Sequence, residues 1–69
     1  MPEMNKVRGY RNMIGFSQKQ MAEVLNISET SYRLKENGER PFTQNEMIAF
    51  LNAVQRVDKK ITLDNIFLN

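Results

Sequence analysis

Residues 16–38 read FSQKQMAEVLNISETSYRLKENG, and the helix signals in this run are the clearest in the chain. Two serines within it, Ser17 and Ser28, lie eleven residues apart, and serine is a preferred N-cap residue. Each serine is flanked by two apolar residues five positions apart, which is the spacing of a hydrophobic staple. The two apolar pairs are Phe16 with Met21 and Ile27 with Tyr32. These signals predict two short helices, over residues 18–25 and 29–36.

The same helix-start signals recur further along the chain. Thr43 and Thr62 are each flanked by a staple pair, Phe42 with Met47 and Ile61 with Ile66. Capping boxes are also predicted, for Ser17 with Gln20 and for Thr43 with Glu46. Three more helices follow from the pattern, over residues 4–13, 44–57 and 63–67. Because apolar residues recur at spacings of three and four rather than two, the predicted fold class is all-α with five helices.

Several residues are expected at helix ends and in the core. Gly15 and Gly38 are typical of helix C-termini, and Asn26 tolerates the left-handed backbone that a tight turn needs. Tyr32 is expected in the core because its helix turns it inward. The helix over residues 44–57 should bury one apolar stripe, formed by Met47, Phe50, Leu51, Val54 and Val57.

The composition bounds the classes of function. The chain has 69 residues, of which 41% are apolar, and this predicts a single domain over residues 1–69 with one modest core. There is no cysteine and no histidine, so the usual thiolate and imidazole ligands and the commonest general base are missing. We expect no cofactor, no metal and no enzymatic activity. With no membrane-spanning run and no secretory signal at the N-terminus, a cytoplasmic location is expected.

The positive charge is concentrated in the first part of the chain. The formal net charge is +2. Residues 1–40 hold seven Lys or Arg against five Glu, whereas residues 41–69 hold three cations and three acids. The surplus therefore lies in the part of the chain that also contains the two helices of residues 18–36, although a charge of this size is also ordinary for a protein surface.

Two short helices joined by a tight turn fit the helix-turn-helix motif, whose second helix enters the DNA major groove. One side of the helix over residues 29–36 carries groups that can contact base edges. Arginine can donate two hydrogen bonds to guanine, glutamate can accept one from cytosine, and threonine or leucine can contact a thymine methyl group. The predicted base contacts are Glu29, Thr30, Arg33 and Leu34.

The run at residues 16–38 resembles the Cro/repressor type of helix-turn-helix, found in lambda-like phage repressors and in the bacterial XRE group. The matching elements are Ser-Gln at 17–18, Met-Ala at 21–22, Ile-Ser at 27–28 and Glu-Asn-Gly at 36–38. The tail ITLDNIF resembles the closing short helix of that family, so the resemblance covers residues 5–68. It implies a five-helix lambda-repressor-like DNA-binding domain that binds double-stranded DNA as a symmetric dimer and has no enzymatic activity.

The resemblance also implies roles for individual residues. Gln18, at the start of one helix of the motif, and Asn37, just after the other, are expected to contact DNA phosphates. Arg11 and Glu36 match a pair that forms an internal salt bridge in the family. Residue chemistry adds further candidates for phosphate contact, namely Ser17, Lys19, Lys35 and Arg40.

The chain departs from the family pattern at three positions. Asn26 stands where glycine is usual, and Lys35 stands where an apolar residue is common. Glu29 stands where a neutral or basic residue is more frequent, and it brings a negative charge near the phosphates. Lys35 leaves open how the helix over residues 29–36 packs, and Glu29 leaves its own contact with a base in question.

One recognition helix reads only a few base pairs, so useful specificity predicts a homodimer on a near-palindromic operator. The candidate dimer contacts are Ile48, Phe67 and Leu68, although Phe67 fits better as a core residue. Binding over a promoter would repress transcription by excluding polymerase, and activation is equally compatible with the sequence. The alternative function is a protein-interaction module, such as an antitoxin, with DNA binding as a secondary property.

Overall fold

A computed structural model describes residues 5–68, which contain five helices and no strand. The helices are α1 (Lys6–Met13), α2 (Gln18–Leu25), α3 (Glu29–Glu36), α4 (Gln44–Gln55) and α5 (Leu63–Phe67). The predicted bounds of α2, α3 and α5 are confirmed at both ends. The predicted start of the first helix, residue 4, lies outside the described residues. None of the helices within residues 5–68 has the length and apolar character needed to cross a membrane.

The helices begin at the predicted N-caps. The side chains of Ser17, Ser28, Thr43 and Thr62 each accept a hydrogen bond from a backbone N–H in the first turn. Both predicted capping boxes are present, and Thr62 forms a third with Asn65. Asn5, which the sequence analysis did not single out, caps α1 by accepting from the N–H of Arg8 at 3.0 Å. These local bonds satisfy backbone donors that the helices themselves leave unpaired.

Helix α4 ends two residues earlier than predicted, and the expectation that Val57 is buried is wrong. The backbone N–H groups of Val57 and Asp58 both donate to the carbonyl of Val54, at 3.0 and 3.1 Å. The chain turns there, and the side chain of Gln55 donates to the carbonyl of Ile61 at 2.8 Å. Val57 consequently points outward and is 62% exposed, whereas Ala53 is buried on α4.

The core lies where α2, α3, α4 and α5 meet. Its largest fully buried side chains are Met21, Tyr32, Phe50 and Val54. Phe67 on α5 packs edge-on against Phe42 and Phe50, with ring centroids 5.4 and 5.6 Å apart. Edge-to-face aromatic packing of this kind is favourable beyond the buried area alone. Phe67 therefore closes the core and holds α5 against α4.

The turn between α2 and α3 sets the angle at which α3 is presented. Asn26 adopts the left-handed conformation, with φ 62° and ψ 42°, as predicted. The N–H of Ile27 then donates to the carbonyl of Ala22 at 3.0 Å, which ends α2. Ala22 is only 2% exposed, and its small side chain permits α2 to pack closely against its neighbours. The result is a closely packed two-helix unit with one side of α3 exposed.

Candidate nucleic-acid interface

The exposed side of α3 carries three of the four predicted base-contacting residues. Glu29, Thr30 and Arg33 are exposed there, whereas Leu34 is half-buried. The Nη2 atom of Arg33 lies 3.5 Å from Oε2 of Glu29, one helical turn earlier. Both side chains stay open to solvent, at 54% and 44% exposure. In the free protein, the ion pair with Glu29 is thus weak, and the Arg33 guanidinium stays accessible to a ligand.

The buried side of α3 is anchored by Glu36. This residue is only 3% exposed, and buried carboxylates need charged or hydrogen-bonding partners. Arg11 on α1 supplies two hydrogen bonds, from Nε to Oε2 at 2.7 Å and from Nη2 to Oε1 at 3.3 Å. The hydroxyl of Tyr32 donates to Oε2 at 2.7 Å, and Gln18 Nε2 donates to Oε1 at 2.8 Å. The internal salt bridge between Arg11 and Glu36 is therefore confirmed.

These contacts keep Glu36 ionised. Burial opposes ionisation, but the hydrogen bonds from Arg11, Tyr32 and Gln18 outweigh it, and the pKa of Glu36 lies below its ordinary value. The hydrogen bond to Glu36 raises the pKa of Arg11. Burial, together with the hydrogen bond to Glu36, raises the pKa of the Tyr32 phenol far above its ordinary range. The network is thus one neutral phenol and one amide around a buried ion pair.

The start of α2 lies beside this network. Gln18 is half-buried, and its amide is oriented by its hydrogen bond to Glu36. The hydroxyl oxygen of Ser17 accepts the N–H of Gln20 at 3.0 Å, which leaves the hydroxyl proton free to donate outward. Lys19 is exposed on the first turn. The three residues expected to contact phosphate at this helix end therefore lie together, with one of them fixed by the α3 anchor.

Lys35 has an internal partner, which differs from its expected role at a phosphate. Its ammonium donates to both carboxylate oxygens of Glu46 on α4, at 2.6 and 2.8 Å. The two side chains are 12% and 11% exposed. Sequence reasoning missed this partner because Glu46 lies eleven positions away and already had an expected role in a capping box. The pair explains how α3 packs with a lysine at this position. Because the ammonium is already bound to Glu46, we do not assign a phosphate contact to Lys35.

The end of α3 brings together residues from two helices. Asn37 and Arg40 are exposed just beyond the helix. The Asn37 side chain accepts a hydrogen bond from Arg8 on α1 at 3.4 Å, and Asn5 Nδ2 donates to the backbone carbonyl of Glu36 at 2.7 Å. Neither Arg8 nor Asn5 was predicted from the sequence to lie here. The available signal for Arg8 was its position three residues before Arg11, which places the two arginines on neighbouring positions of one helix side.

Two further features concern the polar side chains of the described part of the chain. Residues 5–68 contain no group of three or more histidine, cysteine, aspartate or glutamate side chains that could hold a metal ion. The buried polar side-chain atoms of these residues all have hydrogen-bond partners. The exposed side of α3, with the start of α2 and the residues just beyond α3, is the candidate interface because it presents the exposed polar side chains described above.

Comparison with known proteins identifies the family. A family model described as "Helix-turn-helix" matches residues 7–58, which is most of the chain and includes α2 to α4 and all of α1 except Lys6. The comparisons with curated proteins and with solved structures gave no significant match. The matched family consists of DNA-binding regulators that are typically not enzymes. The chain therefore belongs to the XRE type of helix-turn-helix DNA-binding transcriptional regulators and has their all-α, lambda-repressor-like fold.

Proposed function

We propose that this regulator is a repressor that binds a near-palindromic operator as a homodimer and acts in the cytoplasm. Each protomer inserts α3 into the major groove, and Glu29, Thr30 and Arg33 read base edges there. The observation that carries the proposal is the exposed side of α3, which holds these residues away from the core while Tyr32 and Glu36 anchor the opposite side. Direct reading of bases needs exposed donors and acceptors on a rigid helix.

Arg33 contributes most to specificity in this proposal. Its planar fork matches the two acceptors of guanine, and its side chain is 54% exposed. Glu29 lies within 3.5 Å and limits the directions in which the fork can point. Thr30 adds a hydroxyl and a methyl group on the same side of the helix. Leu34 is half-buried, and it contributes at most the edge of its side chain to a thymine methyl contact.

Phosphate contacts position this helix without reading sequence. We assign them to Ser17, Gln18 and Lys19 at the start of α2 and to Asn37 and Arg40 beyond α3. Gln18 is held by Glu36 at 2.8 Å, so its amide is already oriented before DNA arrives. Preorganised donors of this kind lose less entropy on binding than free side chains do.

A dimer follows from the size of one recognition helix. A single α3, of eight residues, reaches only a few base pairs, whereas two helices about 34 Å apart read two half-sites. Ile48 on α4 is 41% exposed and Leu68 is 57% exposed, and we propose these residues as dimer contacts. Phe67 packs against Phe42 and Phe50 and serves the monomer core instead. A dimer seated over a promoter represses by excluding polymerase.

The proposal is tested by selecting operators from a random pool of duplex DNA and measuring the stoichiometry of the selected complex by sedimentation. We expect a near-palindrome with half-sites one helical turn apart and two protomers bound. Arg33→Ala should reduce the advantage of the operator over random DNA by about 1–3 kcal/mol, because a bidentate base contact is lost. Arg56→Ala, which removes an exposed arginine just after α4, should retain the advantage of the operator.

The outcomes separate the elements of the proposal. One protomer on an asymmetric site would contradict the dimer, and an undiminished preference in Arg33→Ala would contradict the role of Arg33. A reporter gene placed behind the selected operator distinguishes repression from activation. A folded chain that binds no duplex at low salt would instead favour the protein-interaction module.

A further inference from the structure

Arg8 carries a positive charge that the interior does not neutralise. Arg8 and Arg11 both lie on α1, and both approach the single carboxylate of Glu36. Arg11 is buried and makes two hydrogen bonds to it, whereas the Nε atom of Arg8 lies 3.6 Å from Oε1. The Arg8 side chain remains 52% exposed, and Glu36 is its only carboxylate neighbour within residues 5–68. The second guanidinium therefore brings an unmatched positive charge to the surface.

Arg8 also determines how Asn37 is oriented. Its Nη2 atom lies 3.4 Å from Oδ1 of Asn37, just beyond the end of α3. A guanidinium can only donate hydrogen bonds, so Asn37 must turn its oxygen toward α1. The Nδ2 group of Asn37 then faces away, and it donates to no other group within residues 5–68. Arg8 and Asn37 thus present a charged donor and a neutral donor side by side.

We propose that Arg8 and Asn37 together bind one phosphate of the DNA backbone, so that α1 contributes directly to DNA affinity. This inference rests on the proposed function, because it places the end of α3 beside the duplex. Arginine recognises phosphate through two parallel N–H donors and retains its charge at all physiological pH values. Gln18 donates to the same Oε1 atom that Arg8 approaches, which brings a third donor to this edge of the interface.

The contact is independent of base sequence, and this property defines its test. We would measure binding to a short random-sequence duplex over a range of salt concentrations for the wild type, Arg8→Gln and Arg56→Gln. Each lost phosphate contact lowers the slope of log affinity against log salt by about 0.9. Arg8→Gln should therefore lower the slope by about that amount for each protomer bound. Arg56→Gln removes an equal charge from an exposed position just after α4 and should leave the slope unchanged.

Folding is checked by circular dichroism, and Arg8→Lys gives a second test that does not remove the charge. Lysine keeps the positive charge, so the slope of log affinity against log salt should remain that of the wild type. Lysine lacks the planar guanidinium that can donate to Asn37 and to a phosphate at once, so the affinity for the duplex should fall about threefold to tenfold. A wild-type slope in folded Arg8→Gln, or wild-type affinity in Arg8→Lys, overturns the proposal and leaves DNA binding by the chain intact. Failure of the wild type itself to bind the duplex at low salt overturns the proposed function, and the phosphate contact with it.

Discussion

The ammonium of Lys35 and the carboxylate of Glu46 join α3 to the first turn of α4, with Nζ 2.6 Å from Oε1 and 2.8 Å from Oε2. The same carboxylate accepts the backbone N–H of Thr43 at 3.0 Å and so completes the capping box of α4. Glu46 thus caps the start of α4 and also binds Lys35 on α3. Lys35 is accommodated between α3 and α4 because its charge has a fixed partner.

Removing one member of this pair should cost more than removing both. We expect Lys35→Met to lower the free energy of unfolding by about 2 kcal/mol, because the shielded carboxylate loses a charged hydrogen-bond donor. Glu46→Gln retains the capping box but leaves Lys35 without its counter-charge. Its free energy of unfolding should fall by a similar amount. The double variant should recover most of the loss. Urea unfolding of all four proteins gives the coupling energy, and strictly additive losses would show that the pair contributes nothing.

Acid should weaken the fold through Glu36 and Glu46. Burial opposes ionisation of each carboxyl, but hydrogen bonds hold the pKa of both below the ordinary value of 4.5. A carboxyl with a lowered pKa in the folded state stabilises the protein fully above pH 4.5 and loses that contribution as the pH falls through the lowered value. We expect the free energy of unfolding to fall as the solution is acidified below that pH.

The measurement is chemical unfolding at a series of pH values for the wild type, Glu46→Gln and Glu23→Gln. Glu46→Gln removes one of the two groups and should show a shallower acid dependence than the wild type. Glu23 is exposed and belongs to no ion pair within residues 5–68, so its variant serves as the matched control. Equal acid dependence in Glu46→Gln and the wild type would contradict the assignment.

Substitutions at Asn26 should report on the turn that presents α3. Its φ of 62° lies in the left-handed region, which glycine and asparagine tolerate and β-branched residues do not. We expect Asn26→Val to lower the free energy of unfolding by about 1–2 kcal/mol, whereas Asn26→Gly should have little effect. Thermal unfolding measures both. Equal stability of the valine and glycine variants would show that the turn relaxes to another conformation.

Neutralising Glu29 should raise the affinity for random duplex DNA and lower the preference for the operator. Its carboxylate lies 3.5 Å from Nη2 of Arg33 and adds a negative charge to the surface that meets phosphates. In Glu29→Gln we expect stronger binding to random duplex, because one repulsive charge is removed, and a smaller preference for the selected operator. Glu23→Gln, which removes an exposed charge from α2, controls for the change in net charge. Unchanged binding of Glu29→Gln to both DNAs would indicate that Glu29 lies away from the duplex.

Local sequence signals located the helices with little error because the interactions that begin and end a helix are themselves local. The N-cap serines and threonines bond to groups three residues away, and Gly15, Asn26 and Gly38 mark turns by their own backbone preferences. The inward position of Tyr32 followed from the helical period in the same way. Val57 was placed wrongly because the end of α4 is decided by the return of the chain toward α5, which no local signal near Val57 encodes.

The five helices and the helix-turn-helix unit could be predicted from local signals in the chain, and the pairing of Arg11 with Glu36 from its resemblance to a family. The contacts of Lys35 with Glu46 and of Arg8 with Asn37 became visible only in the packed structure. These partners lie 11 and 29 positions apart in the chain. Helix caps act over three residues, whereas contacts between helices depend on how the apolar faces pack, and that packing also determines which charges remain free for DNA.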